Sequence, residues 1–470
     1  MKPIKEITLP HTLALIFAII VVMGVLTWIV PAGQFDRAEK SGRTVVVPNT
    51  YQRVEAHPQG VGAILSAPLR GFVEAANIIA FIFLIGGAFG VVISTGAVDA
   101  AIKAFTRFVE RTPLLRAATI PLLTTSFSLA GATFGMSEEV LAFILIFIPL
   151  ARSLGYDSIV GVAIPFVGAG AGFAAAFTNP FTVGIAQGIA ELPLFSGLQY
   201  RGVVWLIVTT IAVVFIVRYA ERVKHRPQLS PVYDLDRERQ SEVMGAANPA
   251  PVETFSRSQK LVMLIFLLAF AGLVIGALKF DWYITEITAL FLGMGILAGI
   301  VARRRINQIA EAFVAGAKDM LMAALVVAFS RGILVMATDG KIIDTILAAL
   351  SGLTQQAHPL VSAYLMLFVQ ACINFFVPSG SGQAALTMPI MAPLSDLLGI
   401  TRQTAVLIFQ FGDGFNNMII PTSGVTMGVL GIAKIPFEKW LRWALPLALL
   451  FYAAGLILIA IPVLFGWGPH

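Results

Sequence analysis

The sequence predicts an all-α integral membrane protein built from two related halves. Three observations predict it. Apolar runs near the ~20 residues that a helix needs to cross a bilayer recur along the chain. Of its 470 residues 57% are hydrophobic and 12% charged, with a mean hydropathy of +0.86; a soluble domain carries about twice that charged fraction. The chain also matches itself, without a gap, at a shift of 244 positions. Ser137 falls on Ser381, Pro149-Leu150 on Pro393-Leu394, and Leu154-Gly155 on Leu398-Gly399. Gly168 and Gly170 fall on Gly412 and Gly414, and Thr178 and Thr182 on Thr422 and Thr426. These identities fall mainly on the residue types that set backbone shape.

The first apolar run, His11 to Pro31, follows Lys2 and Lys5. A signal peptide has a shorter core and ends in a small-x-small cleavage site, so this run is expected to remain as the first crossing, 12–30. Such a retained helix places the protein in the cytoplasmic (inner) membrane of a bacterium or archaeon. Residues 32–60 follow as a loop with a short strand at Thr44-Val45-Val46-Val47-Pro48. Further crossings are expected near 76–95, 200–219, 258–276, 284–302, 319–338 and 443–466. Segments 97–111 and 340–352 read as amphipathic helices at the interface, with Lys103, Arg107 and Arg111 at helical spacing.

Two segments, 117–152 and 360–398, read as hairpins that enter and leave on one side. After the polar turn at 135–139 the apolar run lasts only about 12 residues before Arg152, too short to cross. After the turn at 379–383 the run is similarly short and holds Pro389 and Pro393. Segments 158–190 and 402–433 read as crossings interrupted at Phe177-Thr178-Asn179-Pro180 and at Pro421-Thr422-Ser423-Gly424. Residues 221–257 form a polar, flexible cytoplasmic linker, with Asn248-Pro249-Ala250-Pro251 near its end. The organisation is thus an N-terminal half 1–220, the linker, and a C-terminal half 258–470.

With the N-terminus inside, 22 of the 32 Lys and Arg residues fall in cytoplasmic segments. Nine fall outside (Arg37, Lys40, Arg43, Arg53, Arg70, Arg201, Lys279, Lys341 and Arg402), and Arg331 lies in the membrane. This asymmetry obeys the positive-inside rule and accounts for the net charge of +6 without a nucleic-acid partner. The same threading sends the first hairpin in from the cytoplasm and the second from outside, so the two repeats are expected to be inverted. Inverted repeats with interrupted helices at matching positions are the sequence pointer to a secondary transporter and its binding site.

Irregular backbone at membrane depth must line a cavity or be buried in protein, because lipid cannot satisfy its polar groups. The two tips and two breaks are therefore the candidate site. The candidate residues are Ser137, Glu138, Glu139, Thr178, Asn179, Pro180, Ser379, Ser381, Gln383, Thr422 and Ser423 of the tips and breaks, with Asp413, Asn416 and Asn417 of the second interrupted helix. Proline and glycine unwind the helices; freed carbonyls then suit a cation such as Na⁺, and half-helix N-termini suit a carboxylate. Ser137, Asn179, Ser381 and Thr422 are the candidate Na⁺ neighbourhood; H⁺ is the other coupling ion to weigh. A carboxylate at mid-membrane costs roughly 2.5–3.5 kcal/mol, so Glu138, Glu139 and Asp413 are expected to bind a cationic group or carry an ion. Arg331 is a candidate carboxylate clamp, with pairing to one of these acids the stronger expectation.

These segments resemble the anaerobic four-carbon dicarboxylate carrier (DcuC) family, most closely its YfcC-like branch, within the wider ion-transporter superfamily. The resemblance rests on four stretches, and the loop pattern Pro48-Asn49-Thr50-Tyr51 with Pro58-Gln59-Gly60 also fits that branch. The four stretches are Gly131-Ala132-Thr133-Phe134-Gly135-Met136-Ser137-Glu138-Glu139, Phe177-Thr178-Asn179-Pro180-Phe181-Thr182, Pro378-Ser379-Gly380-Ser381-Gly382-Gln383, and Phe411-Gly412-Asp413-Gly414-Phe415-Asn416-Asn417 running into Pro421-Thr422-Ser423-Gly424. It covers nearly the whole chain and implies re-entrant hairpins, broken helices, and ion-coupled or exchange transport. The family is named for dicarboxylates, yet similar proteins exchange arginine for ornithine. The acid-rich candidate site fits a cationic or zwitterionic amino acid better than a dianion, while two half-helix N-termini and Arg331 would serve two carboxylates.

Other classes fit less well. A channel would conduct without saturation and would not need matched breaks. An enzyme would need a nucleophile–base grouping, a metal-ligand cluster or a phosphate loop, and the sequence offers none. The single cysteine, Cys372, allows no intramolecular disulfide. No cofactor is expected. The expected partners are a small-molecule substrate and the lipid bilayer, with a homodimer as the candidate assembly.

Overall fold

The computed structural model describes residues 12–40, 43–47, 49–109, 111–246, 256–280, 282, 284–352 and 358–468. Lys2, Lys5, Pro48 and the Asn248-Pro249-Ala250-Pro251 stretch, all used above, lie outside the described residues. The first half opens with α1 (Thr12–Ile29) and four short strands, β1 (Gly33–Gln34), β2 (Arg37–Lys40), β3 (Arg43–Val46) and β4 (Gln52–Arg53). It continues through α2 (Val61–Glu74), α3 (Ala76–Ser94), α4 (Ala97–Val109), α5 (Pro113–Thr133), α6 (Val140–Ser153), α7 (Ser158–Ala174), α8 (Ile185–Ile189) and α9 (Leu198–His225). After α10 (Tyr233–Ala246) the second half runs α11 (Arg257–Lys279), α12 (Ile284–Val301), α13 (Ile306–Asp319), α14 (Leu321–Asp339) and α15 (Ile343–Gly352). It closes with α16 (Pro359–Phe376), α17 (Gly380–Leu397), α18 (Arg402–Gly414), α19 (Gly424–Ala433) and α20 (Phe437–Phe465).

The protein is a helical membrane protein. Among the described residues seven helices are long and apolar enough to span a bilayer: α3, α9, α11, α12, α14, α16 and α20. The strand expected at Thr44-Val45-Val46-Val47-Pro48 overlaps β3, which ends at Val46 and pairs antiparallel with β2, while β1 pairs with β4. This small loop domain is tied to α15: Asp344 Oδ2 accepts from the Phe35 N–H at 2.9 Å and from Arg37 Nη1 at 2.8 Å.

The sequence match between the halves has a local structural counterpart. Asp157 caps α7 by accepting from the Val160 N–H at 2.9 Å, and Thr401 caps α18 by accepting from the Thr404 N–H at 3.3 Å. Just before each cap, the turns that follow α6 and α17 pass through Gly155 (φ +82°) and Gly399 (φ +68°). Only glycine takes this left-handed turn without strain.

Besides α10, which falls in the segment expected to be a linker, two helices were not expected from the sequence. α2 and α13 have 14 residues each, too short and too polar at their ends to read as crossings. They pack crosswise: α2 lies on α14 of the second half, and α13 lies on α3 of the first. Glycine makes both approaches possible. A Cβ added at Gly71 would stand 2.2 Å from the Ala328 carbonyl oxygen, and one at Gly316 would stand 2.3 Å from that of Gly86. Backbone contact this close is how small residues join helices where no water drives association.

Two expectations need correction. The linker was read as flexible, yet its described part, to Ala246, is folded and docked. Asp236 accepts from the N–H and hydroxyl of Ser158, Arg152 Nη2 donates to the Asp236 carbonyl at 2.9 Å, and Arg239 Nη2 donates to the Lys434 carbonyl at 2.6 Å. Its charges find partners on the α6–α7 and α19–α20 junctions, which composition alone does not reveal. Arg201, counted above with the outside segments, is fully buried in α9. Its guanidinium donates to the side-chain oxygens of Gln410 and Gln403 and lies 5.5 Å from the centroid of Trp467.

Candidate functional site

Both hairpin tips and the second break meet at one cavity of about 320 Å3. Of the residues singled out in the sequence, Ser137, Glu138, Ser379, Ser381, Asn417, Thr422 and Ser423 line it. Glu139, Thr178, Asn179, Pro180, Gln383, Asp413 and Asn416 do not; they form the layers behind it. Three charged side chains line the cavity: Glu74, Glu138 and Arg331.

The first tip and first break are stitched together. The N–H groups of Phe177 and Thr178 both donate to the Ala132 carbonyl, at 3.3 and 3.2 Å, and the Thr178 hydroxyl donates to that of Thr133 at 3.3 Å. These bonds satisfy backbone that the unwound stretch would otherwise leave bare. Asn179 is fully buried, and its Oδ1 accepts from the Phe181 N–H at 2.8 Å, capping a π-helical turn that begins at Pro180. Gly135 has φ +78°, and an added Cβ there would lie 2.5 Å from Asn179 Oδ1, so the tip closes only because this residue is glycine. Glu139 is buried and turns back on its own tip, accepting from the Ser137 N–H at 2.9 Å.

The second tip is held differently. Ser379 caps α17 by accepting from the Gly382 N–H at 3.3 Å. Gly380 rests on the first break and on α18: an added Cβ would lie 2.6 Å from Thr182 Cγ2 and 3.1 Å from Asp413 Oδ2. Asp413 is fully buried. Its Oδ1 accepts from Asn374 Nδ2 and Asn417 Nδ2, each at 2.9 Å. Asn374 Nδ2 also donates to Gln383 Oε1 at 3.0 Å, and Gln383 Nε2 donates to Gln370 Oε1 at 2.8 Å. Asn416 faces away from the cavity, donating to the Ala371 carbonyl at 2.7 Å and accepting from the Tyr452 hydroxyl at 2.7 Å.

Several buried oxygens here have no hydrogen-bond partner: Asp413 Oδ2, Asn374 Oδ1, Thr182 Oγ1 and Thr422 Oγ1. Buried polar atoms are nearly always paired. Asn179 Nδ2 is also without a partner; the four oxygens, one of them a carboxylate's, suit a hard monovalent cation or a proton. Among the described residues no group of three His, Cys, Asp or Glu side chains is placed to hold a metal ion.

Arg331 departs from expectation. It was expected to pair with Glu138, Glu139 or Asp413, yet it meets Glu74, Nε to Oε2 at 3.3 Å. The cause is the glycine crossing: Gly71 and Gly332 bring α2 onto α14, and Glu74 sits one turn beyond Gly71. Sequence reasoning missed Glu74 because 257 positions separate it from Arg331. It also missed Asn374 and Gln370, although polar residues one turn apart in the apolar α16 were a visible signal.

The family model described as "C4-dicarboxylate anaerobic carrier" matches residues 9–463. The chain is 38% identical, with 97% of each protein covered, to the Escherichia coli (strain K12) protein named "Putative basic amino acid antiporter YfcC". It is 28% identical, with 98% of each covered, to an uncharacterized protein of Haemophilus influenzae. Among solved structures, the Alcanivorax borkumensis YdaH transporter aligns over 98% of this chain and 100% of its own, at 17% identity and a TM-score of 0.42. Neisseria gonorrhoeae MtrF, described as illuminating a class of antimetabolite efflux pumps, aligns over 98% and 97%, at 18% identity and a TM-score of 0.41. The family model spans nearly the whole chain, including both tips and both breaks, and this protein, a multi-pass membrane transporter, belongs to the C4-dicarboxylate anaerobic carrier (DcuC) family.

Proposed function

We propose that the protein is a secondary active transporter, a symporter or exchanger, that moves small carboxylate-bearing organic solutes across the cytoplasmic membrane by alternating access of inverted repeats. Its N-terminus lies inside, and it catalyses no chemical conversion. The carrying observation is the cavity bounded by both tips and the second break, with Glu74, Glu138 and Arg331 as its charged lining. Two carboxylates and one guanidinium favour a solute with a net positive charge and a carboxylate, that is, a cationic amino acid. The name of the E. coli relative points the same way. A four-carbon dicarboxylate is the second reading, favoured by the family's description and by Arg331, which would take one carboxylate. Asp413, with the unpartnered oxygens around it, is the proposed seat of coupling, by Na⁺ or H⁺. Ser137, Asn179, Ser381 and Thr422 remain the proposed neighbours of a Na⁺ at the tips.

The test is thermal stability of the purified protein against amino acids and dicarboxylates, each with and without Na⁺. A ligand that binds the native state raises its apparent stability. Stabilisation by arginine, ornithine or lysine is the expected result. Stabilisation by succinate or fumarate alone reassigns the acids to coupling and the solute to Arg331 and the helix N-termini.

A further inference from the structure

We propose that Glu74 and Arg331 together read the head group of an α-amino acid: the ion pair parts on binding, Arg331 taking the α-carboxylate and Glu74 the α-ammonium. This rests on the reading above that the cavity is the substrate site. It assigns a role to an acid that neither the sequence motifs nor the family resemblance brings forward.

Four observations carry it. Both side chains line the cavity and remain 42% (Glu74) and 39% (Arg331) exposed, so a solute in the cavity can reach them. Arg331 Nε stands 3.3 Å from Glu74 Oε2 as an ion pair without a formed hydrogen bond, so the guanidinium is not locked onto Glu74. A guanidinium binds a carboxylate best through two parallel N–H groups, and a pair this loosely held leaves Arg331 able to turn that fork to a solute. The backbone under the pair is also held in place. An added Cβ on Gly71 would lie 2.5 Å from the Gly332 backbone nitrogen, and one on Gly332 would lie 2.9 Å from the Ala67 carbonyl oxygen, so the backbones that carry the two side chains stay in register while the side chains themselves can part. Finally, the pair presents opposite charges side by side, which matches a zwitterionic head. A dianion would place its second carboxylate against Glu74 or Glu138 at a cost in repulsion. Glu138, the remaining charged lining residue, is left for a cationic group at the far end of the solute.

The test combines ligand truncation with charge-removing variants, read by calorimetric binding to the purified full-length protein. The probes are arginine, agmatine (no carboxylate) and 5-guanidinopentanoate (no α-amino group). In the wild type each truncation should weaken binding at least tenfold. Glu74→Gln should weaken arginine about tenfold or more while leaving 5-guanidinopentanoate unchanged; Arg331→Gln should weaken arginine while leaving agmatine unchanged. Wild-type affinity for 5-guanidinopentanoate equal to that for arginine overturns the proposal without any variant. Arginine binding that is unaltered in both variants overturns it while leaving the cavity reading intact. A wild type that binds dicarboxylates and no amino acid overturns both the pair and the amino-acid reading.

Discussion

Replacing Gly71 with alanine is the sharpest test of how α2 and α14 fit. The added methyl group would stand 2.2 Å from the Ala328 carbonyl oxygen and 2.5 Å from the Gly332 nitrogen, both backbone atoms that no rotamer change can move. Ordinary contact begins near 3.4 Å, so α2 must retreat by about 1 Å, and over-packing of this kind typically costs about 1–3 kcal/mol. The retreat carries Glu74, three residues on, away from Arg331 and loosens a contact that is already 3.3 Å long. Gly62 lies on the same helix with nothing within 4 Å of an added Cβ; alanine there is expected to be neutral or to stabilise by up to about 1 kcal/mol through helix propensity. The assay is thermal unfolding of the detergent-solubilised protein together with counterflow uptake in proteoliposomes. Gly71→Ala should unfold at a lower temperature and bind solute more weakly, while Gly62→Ala should match or exceed the wild type. Equal unfolding temperatures for Gly71→Ala and the wild type would refute the close-packed crossing.

Three further outcomes are expected. Asp413→Asn should abolish coupled transport while the protein stays folded in the membrane; wild-type uptake by that variant removes Asp413 from coupling. Ser137→Ala or Ser381→Ala should weaken apparent affinity for solute or ion several-fold, and unchanged affinity for both would take the tips out of the site. The third concerns Asp157, outside the spans, where burial pushes the carboxyl above the usual carboxylate range despite bonds from Ser230, Tyr219 and Val160. A folded-state pKa that is raised means stability present below the unfolded value of about 3.9 and lost as pH rises through the folded one. The wild type should therefore lose thermal stability relative to Asp157→Asn as pH rises from about 4 toward neutral; a constant gap between the two would refute it.

The parts legible in the sequence are those whose physics is local. Length and apolar content mark α3, α9, α11, α12, α14 and α20, because a bilayer imposes its own ruler. Pro180 and Pro421 mark the breaks, since each removes a backbone donor within an apolar run. The parts that escaped depend on partners distant in sequence. α2 and α13 are each seated on a helix of the other half. Glu74 acquires meaning only beside Arg331, and the charges of α10 look solvated until Asp236 is found on Ser158. Asn416 looked like a site residue by proximity to Asp413, yet its side chain faces Ala371 and Tyr452.

The crosswise seating of α2 and α13 has a consequence for how the chain is made. Neither half can bury its own crossing helix, so the N-terminal half inserted from a ribosome must wait for α14 before α2 has a seat. At about 5–20 residues per second that wait is on the order of tens of seconds. Through it the Gly71 side of α2 stays uncovered by α14. Gene halves expressed separately should therefore accumulate only when they meet in the same membrane.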